Sequence, residues 1–227
     1  MCEKVKLLLS LTVSAFAASL TVAESLDYKY NAPDPYMAEF RLRLPAADGE
    51  INYTLVLLPG YNGDGRGMAD EAAWQRLADE QRCAILACRL VNNKGGSAPH
   101  YVRVENWSGK ALLDTLKHFA AQTQKLELAT APLLLWGHSA GGGFAYNFAN
   151  WKPERVAGFV LVKSALNTND PRSAMLKVPA LFIGGENDRE RTELITERYT
   201  AGRRGAARCG ALPSSRTAAT RSGKRRC

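Results

Sequence analysis

Five runs of apolar residues, at 53–58, 83–90, 131–136, 156–163 and 178–183, carry almost no polar alternation. Runs of this length read as strands buried on both faces, the pattern of a parallel sheet with helices above and below it. Between them, positions 67–80, 109–124 and 142–151 are compatible with helix. This alternation of helix and strand predicts an α/β fold with a mainly parallel sheet flanked by helices. Upstream, Phe40-Arg41-Leu42-Arg43-Leu44 alternates apolar with basic, and Asp48-Gly49 marks a turn before the 53–58 run. The two segments are therefore expected to form a hairpin or a pair of adjacent strands. Before them lies a Pro-rich entry at Pro33 and Pro35, and 164–177 is a short loop rich in Asn, Asp, Pro and Ser, too small for a bulky lid.

The chain's ends differ from this body. Lys4 and Lys6 precede an apolar stretch at 7–20 that is too short for a membrane span and reads as a signal peptide over 1–23. Small-x-small sites put cleavage after Ala17 or Ala23, with an uncleaved anchor as the competing reading, and export to the periplasm or medium follows. The body, 24–200, is one globular domain with enough of the chain's 46% hydrophobic residues for a sizeable core. The formal net charge of +8 is located entirely in 201–227, which holds eight basic residues and no acidic one. A basic fold surface for nucleic acid is thereby excluded. That tail is Arg-, Ala-, Gly- and Ser-rich without an aromatic residue, so it is expected to be disordered, a basic arm, or the product of translation out of frame after about Tyr199. Five cysteines do not make a disulfide framework in a chain of 227 residues, and the five-residue spacing of Cys83 and Cys88 puts them on opposite faces of one strand.

The most informative motif is Gly137-His138-Ser139-Ala140-Gly141, entered from the 131–136 run and followed by Gly142, Gly143 and a helix-compatible stretch. A G-x-S-x-G between strand and helix is the setting of a nucleophile elbow, where the serine stands at the apex and its neighbours must be small because the two backbones nearly touch. Ser139 is the candidate nucleophile.

With Leu58-Pro59-Gly60-Tyr61-Asn62-Gly63-Asp64-Gly65 after the first core strand and Gly184-Gly185-Glu186-Asn187-Asp188 after the last one, the chain resembles the α/β-hydrolases over 55–188. Within them it is most similar to the secreted poly(3-hydroxybutyrate) depolymerase and feruloyl-esterase group. The resemblance implies a serine esterase acting on small or polymeric esters without metal or organic cofactor. It implies an oxyanion hole from the backbone N–H groups of Ala140 and Tyr61, although the chain has Pro59-Gly60 where the family often has His-Gly. It makes Asp188 the orienting acid, with Glu186 as fallback; Asp188 as the cap of a following helix is the structural alternative.

The same resemblance places the catalytic histidine after the acid, and no histidine follows His138. A last strand and the histidine loop are expected to be missing together. His138 is the x of the elbow and points away from the nucleophile, His118 is expected at the solvent face of its helix, and His100 sits in a polar loop from which reaching the serine would be an unusual rearrangement. The chain is therefore expected to be weakly active or inactive, and the alternative is a non-catalytic binding protein on a hydrolase scaffold. The elbow leaves peptidase or thioesterase chemistry open, because it reports acyl transfer and not the acyl group.

Overall fold

The computed structural model describes residues 25–92, 100–164, 171–188, 193, 197 and 199–205. The expected signal peptide at 1–23, the tail from 206 onward and 165–170 of the expected lidless loop lie outside the described residues.

Seven strands form one sheet: β1 (Ser25–Tyr30), β2 (Tyr36–Arg43), β3 (Thr54–Leu58), β4 (Ala84–Asn92), β5 (Leu133–His138), β6 (Val156–Val162) and β7 (Ala180–Ile183). Their spatial order is β1-β2-β4-β3-β5-β6-β7. The five strands from β4 to β7 across the sheet run parallel, while β1 and β2 add an antiparallel pair at the β4 edge. The fold class and the parallel core agree with the sequence reading. The pairing of 40–44 with 53–58 does not: β4 lies between β2 and β3, in register Phe40↔Cys88 with the first and Val56↔Leu86 with the second. Every residue of β3 is buried, so it takes a parallel neighbour on each edge. The hairpin partner of β2 is instead β1, joined through the Pro33–Pro35 segment, where the Tyr36 N–H donates to the Pro33 carbonyl at 2.8 Å.

Among the described residues, α1 (Ala72–Gln81), α2 (Ser108–Thr123) and α3 (Ala140–Trp151) cover the sheet. The helical stretch expected over 67–80 divides at Glu71, whose extended backbone separates a short 3-10 turn, Arg66–Asp70, from α1. The strands' alternating side chains build two cores. On one face Val56, Leu86, Cys88, Leu133 and Leu135 pack with Leu112, Leu116 and Phe119 of α2 and Phe144 and Phe148 of α3. On the other, Leu55, Leu57, Cys83, Ile85 and Ala87 pack with Ala78, Trp74 and Leu77 of α1. Cys83 and Cys88 are accordingly free thiols on opposite faces, and burial pushes the Cys88 thiol far above its ordinary range.

Beyond α1 the second face is closed at the β1–β2 edge by charge. Arg41 donates to Asp27 at 2.7 Å and to Asp70 at 2.5 Å, and Glu39 takes Arg89 at 2.8 Å. Arg41 of the 40–44 alternation thus faces ion pairs while Phe40 and Leu42 face the larger core. Helical residues 199–205 pass the change of composition at 201, and Tyr199 is buried between Phe159 and Phe182, with ring centroids 5.9 and 5.5 Å away.

Leu86 is fully buried at the centre of the sheet. Leu86→Ala is expected to lower unfolding free energy by about 2–5 kcal/mol in urea titration, the usual result of emptying a packed leucine site. A loss under about 1 kcal/mol would contradict this core.

Candidate active site

The strand β5 ends at His138 and α3 begins at Ala140, so Ser139 alone makes the reversal. Its backbone has φ 52° and ψ −117°, a conformation rarely taken by a residue with a Cβ and tolerated where the surroundings over-determine it. Here they do. The Ser139 N–H donates to the Val162 carbonyl at 2.9 Å, and the Ser139 carbonyl accepts from the N–H groups of Gly142 and Gly143 at 3.0 and 3.2 Å and from Ser164 Oγ at 2.9 Å.

The flanking glycines are steric requirements. A Cβ on Gly137 would stand 2.3 Å from the Gly141 carbonyl oxygen, and one on Gly141 would stand 2.3 Å from that of Leu58. Strand, helix and the end of β3 therefore meet backbone to backbone around Ser139, in the geometry that a nucleophile elbow requires.

The loop after β3 lies against this elbow. A Cβ at Gly60 would be 3.3 Å from His138 Nδ1 and 3.7 Å from Ser139 Cβ, which locates Gly60 beside the serine; Tyr61, the next residue, is 41% exposed. Several bonds hold the loop in place. The Gly63 N–H donates to the Gly60 carbonyl at 3.0 Å, and the Gly65 N–H to that of Cys88 at 3.0 Å. Asn62, at φ 52°, accepts the Asn92 N–H on its side-chain oxygen at 3.0 Å, continuing the pairing of β4 with a side-chain amide. Its own N–H donates to the buried Tyr101 phenol, whose pKa is pushed up to about 12, chiefly by burial. Asp64 pairs with Arg66 at 2.7 Å, and the Arg66 hydrogen bond holds its carboxyl down at about 2.

Of the predicted residues, Ser139, Ala140 and Tyr61 come together at the carboxyl ends of β3 and β5. Ala140 is the first residue of α3 and is buried. Asp188 closes a 3-10 turn, Glu186–Asp188, beyond β7 on the same rim. The strand it follows, β7, is separated from β5 by β6. Glu186 in the same turn is exposed. Asn62, Tyr101 and Ser164 escaped the sequence reading; the Asn-Gly pair is a turn signal, while nothing in the sequence around Ser164 marks it.

The histidines are dispersed. His118 is at the exposed face of α2, as expected, with its ring stacked on Tyr28 at 3.9 Å between centroids. His100 is exposed, 6.5 Å from the Tyr36 ring. His138 is half-buried against Gly60. Among the described residues no hydrogen bond joins a histidine to Ser139, no group of three or more His, Cys, Asp or Glu is placed to hold a metal, and no helix is long and apolar enough to cross a membrane.

Comparison with known proteins agrees with this architecture. The family model described as serine aminopeptidase, S33, matches residues 94–184. Among solved structures, the chain is similar to LpqC, a poly(3-hydroxybutyrate) depolymerase from Bordetella parapertussis, at 17% identity and TM-score 0.58, covering 83% of this chain and 80% of that one. It is similar to poly(aspartic acid) hydrolase-1 from Sphingomonas sp. KT-1, also at 17% and 0.58, covering 83% and 88%. A ferulic acid esterase matches at 13% and 0.57, covering 82% and 87%. No curated protein matches the chain. The chain has the α/β-hydrolase fold. The family match and the fold together support hydrolase chemistry in general and leave the nucleophile and the substrate to be argued from the site.

Gly141→Ala is expected to cost more than about 2 kcal/mol, because the new methyl meets backbone oxygens rather than a side chain that can turn away. Urea unfolding of the variant beside the unsubstituted protein measures this, and near-equal stabilities would contradict the elbow's close approach.

Proposed function

We propose that the protein is a serine hydrolase of carboxylic esters. Ser139 Oγ attacks the acyl carbonyl, the N–H groups of Ala140 and Tyr61 receive the oxyanion, and Asp188 is the acid that would orient a protonated base. The observation that carries this reading is the backbone of Ser139: a serine at φ 52° between a buried strand and a helix, with its own N–H and carbonyl both hydrogen-bonded. Such strain is uncommon for an ordinary turn serine, and it lifts the side chain to the apex where acyl transfer needs it. The loop over Gly60 supports the second donor, since a Cβ added at Gly60 would lie 3.7 Å from Ser139 Cβ.

The chain's histidines are at 100, 118 and 138, none of them bonded to Ser139 among the described residues. General-base catalysis is then the weak term, leaving binding and oxyanion stabilisation to supply the residual rate. This same observation favours a second reading, a binding protein that keeps the scaffold and its open rim without turnover. Export of the mature chain from the 1–23 signal peptide belongs to the proposal and is checked by N-terminal sequencing of the secreted protein.

A small external base separates the two readings. Neutral imidazole diffusing to the half-exposed Ser139 accepts the Oγ proton as the oxygen bonds to the acyl carbon; p-nitrophenolate leaves, and a second imidazole-assisted water attack releases the acid. Hydrolysis of p-nitrophenyl acetate and butyrate is expected to be slow alone and to rise with imidazole, beyond the same increment in Ser139→Ala. The increment should grow over about pH 6–8 as the added base loses its proton. Equal rates for the protein and Ser139→Ala at every imidazole concentration would leave the binding reading standing.

A further inference from the structure

Two residues at the ends of adjacent parallel strands share an unusual backbone: Ser139 after β5 has φ 52° and Lys163 after β6 has φ 46°. They are parts of one arrangement. The Lys163 N–H donates to the Ile183 carbonyl at 2.8 Å, which fixes the end of β6 to β7. The left-handed turn at Lys163 then returns Ser164 toward the elbow, where its hydroxyl donates to the Ser139 carbonyl at 2.9 Å. Since the Ser139 N–H donates to the Val162 carbonyl, both polar groups of the strained residue end on the last turn of β6. Ser164 is 5% exposed and tightly seated, because a Cβ on Gly142 would be 2.6 Å from both its Cβ and its Oγ.

We propose that Ser164 is a positioning residue for the oxyanion hole, an inference that rests on the serine-hydrolase reading above. The carbonyl it binds belongs to the peptide unit whose other end is the Ala140 N–H. In a planar trans peptide, C=O and N–H point in opposite directions, so a hydrogen bond that holds the carbonyl toward β6 holds the Ala140 N–H toward the opposite side. The same bond polarises the unit and strengthens the N–H as a donor. The Gly142 and Gly143 amides also reach this carbonyl, but they lie in the first turn of α3 and move with it. Ser164 ties the peptide plane to the sheet.

The test compares Ser164→Ala with Ser164→Thr, which keeps the hydroxyl, in imidazole-supported hydrolysis of p-nitrophenyl butyrate. Losing one such bond is expected to lower kcat about 5- to 10-fold with KM unchanged within about twofold, and threonine is expected to restore most of kcat. Full kcat in Ser164→Ala, or a loss confined to KM, would overturn the proposal. Amide hydrogen exchange over 139–143 provides a reading independent of turnover: Ser164→Ala should speed exchange there while leaving β3 and β4 protected, and unchanged exchange would also overturn it. Absence of Ser139-dependent turnover in the unsubstituted protein, together with faster exchange in Ser164→Ala, would instead count against the hydrolase reading while upholding the structural role of Ser164.

Discussion

The rest of the site depends on a backbone contact: the end of β5, the start of α3 and the end of β3 approach so closely that Gly137 and Gly141 have no room for a Cβ. That approach forces the reversal into a single residue, and the single residue is Ser139, held at φ 52°. Placing strain there requires a surrounding frame that does not yield. The frame is the parallel sheet, whose central strand β3 is buried along its whole length and whose two faces carry separate apolar cores. The strain at the elbow is thus offset by packing far larger than itself, in a place where the same contacts set the direction of the Ser139 side chain.

The rim around the elbow is fastened differently on its two sides. Toward β4, the loop carrying Tyr61 is bound through Asn62, Asp64 and the buried Tyr101 phenol. Toward β6, Val162 and Ser164 hold the backbone of Ser139 itself. Further along, β7 is the last strand among the described residues, and its Leu181 and Ile183 are 55% and 43% exposed. The sheet is therefore best supported at the strands that flank the serine and least covered at the strand that leads to Asp188. This asymmetry parallels the placement of the candidate groups: Ser139 and Ala140 adjoin the loop after β3, while among the described residues no hydrogen bond joins a histidine to Ser139.

Much of this was legible in the sequence for a physical reason. Strands buried on both faces have no polar alternation, so β3 to β6 announced themselves as continuous apolar runs, and G-x-S-x-G between such a run and a helix marked Ser139; β7 showed the same apolar run although Leu181 and Ile183 are exposed. Cys83 and Cys88 fell on opposite faces because strand periodicity is local. The neighbours of β2 were not legible: a turn at Asp48-Gly49 reports a change of direction, not which strand fills the adjacent space, and β4 enters there from 26 residues beyond β3. β1 was missed because Leu26, Tyr28 and Tyr30 are only partly buried, and so make a weak apolar signal. Ser164 and Asn62 act through contacts across the fold, 25 and 30 positions from their partners, so no short motif could reveal those partners. The scarcity of histidines was plain from the sequence, and the structure adds where the three are held.

The most direct test of the central claim is peptide-mapping mass spectrometry of the protein after incubation with p-nitrophenyl butyrate. With attack by Ser139 intact and deacylation short of a general base, the account predicts a butyryl adduct, accumulating on the Ser139 peptide and absent in Ser139→Ala. An unmodified Ser139 peptide, or acylation spread over surface lysines at the same level in both proteins, would contradict it.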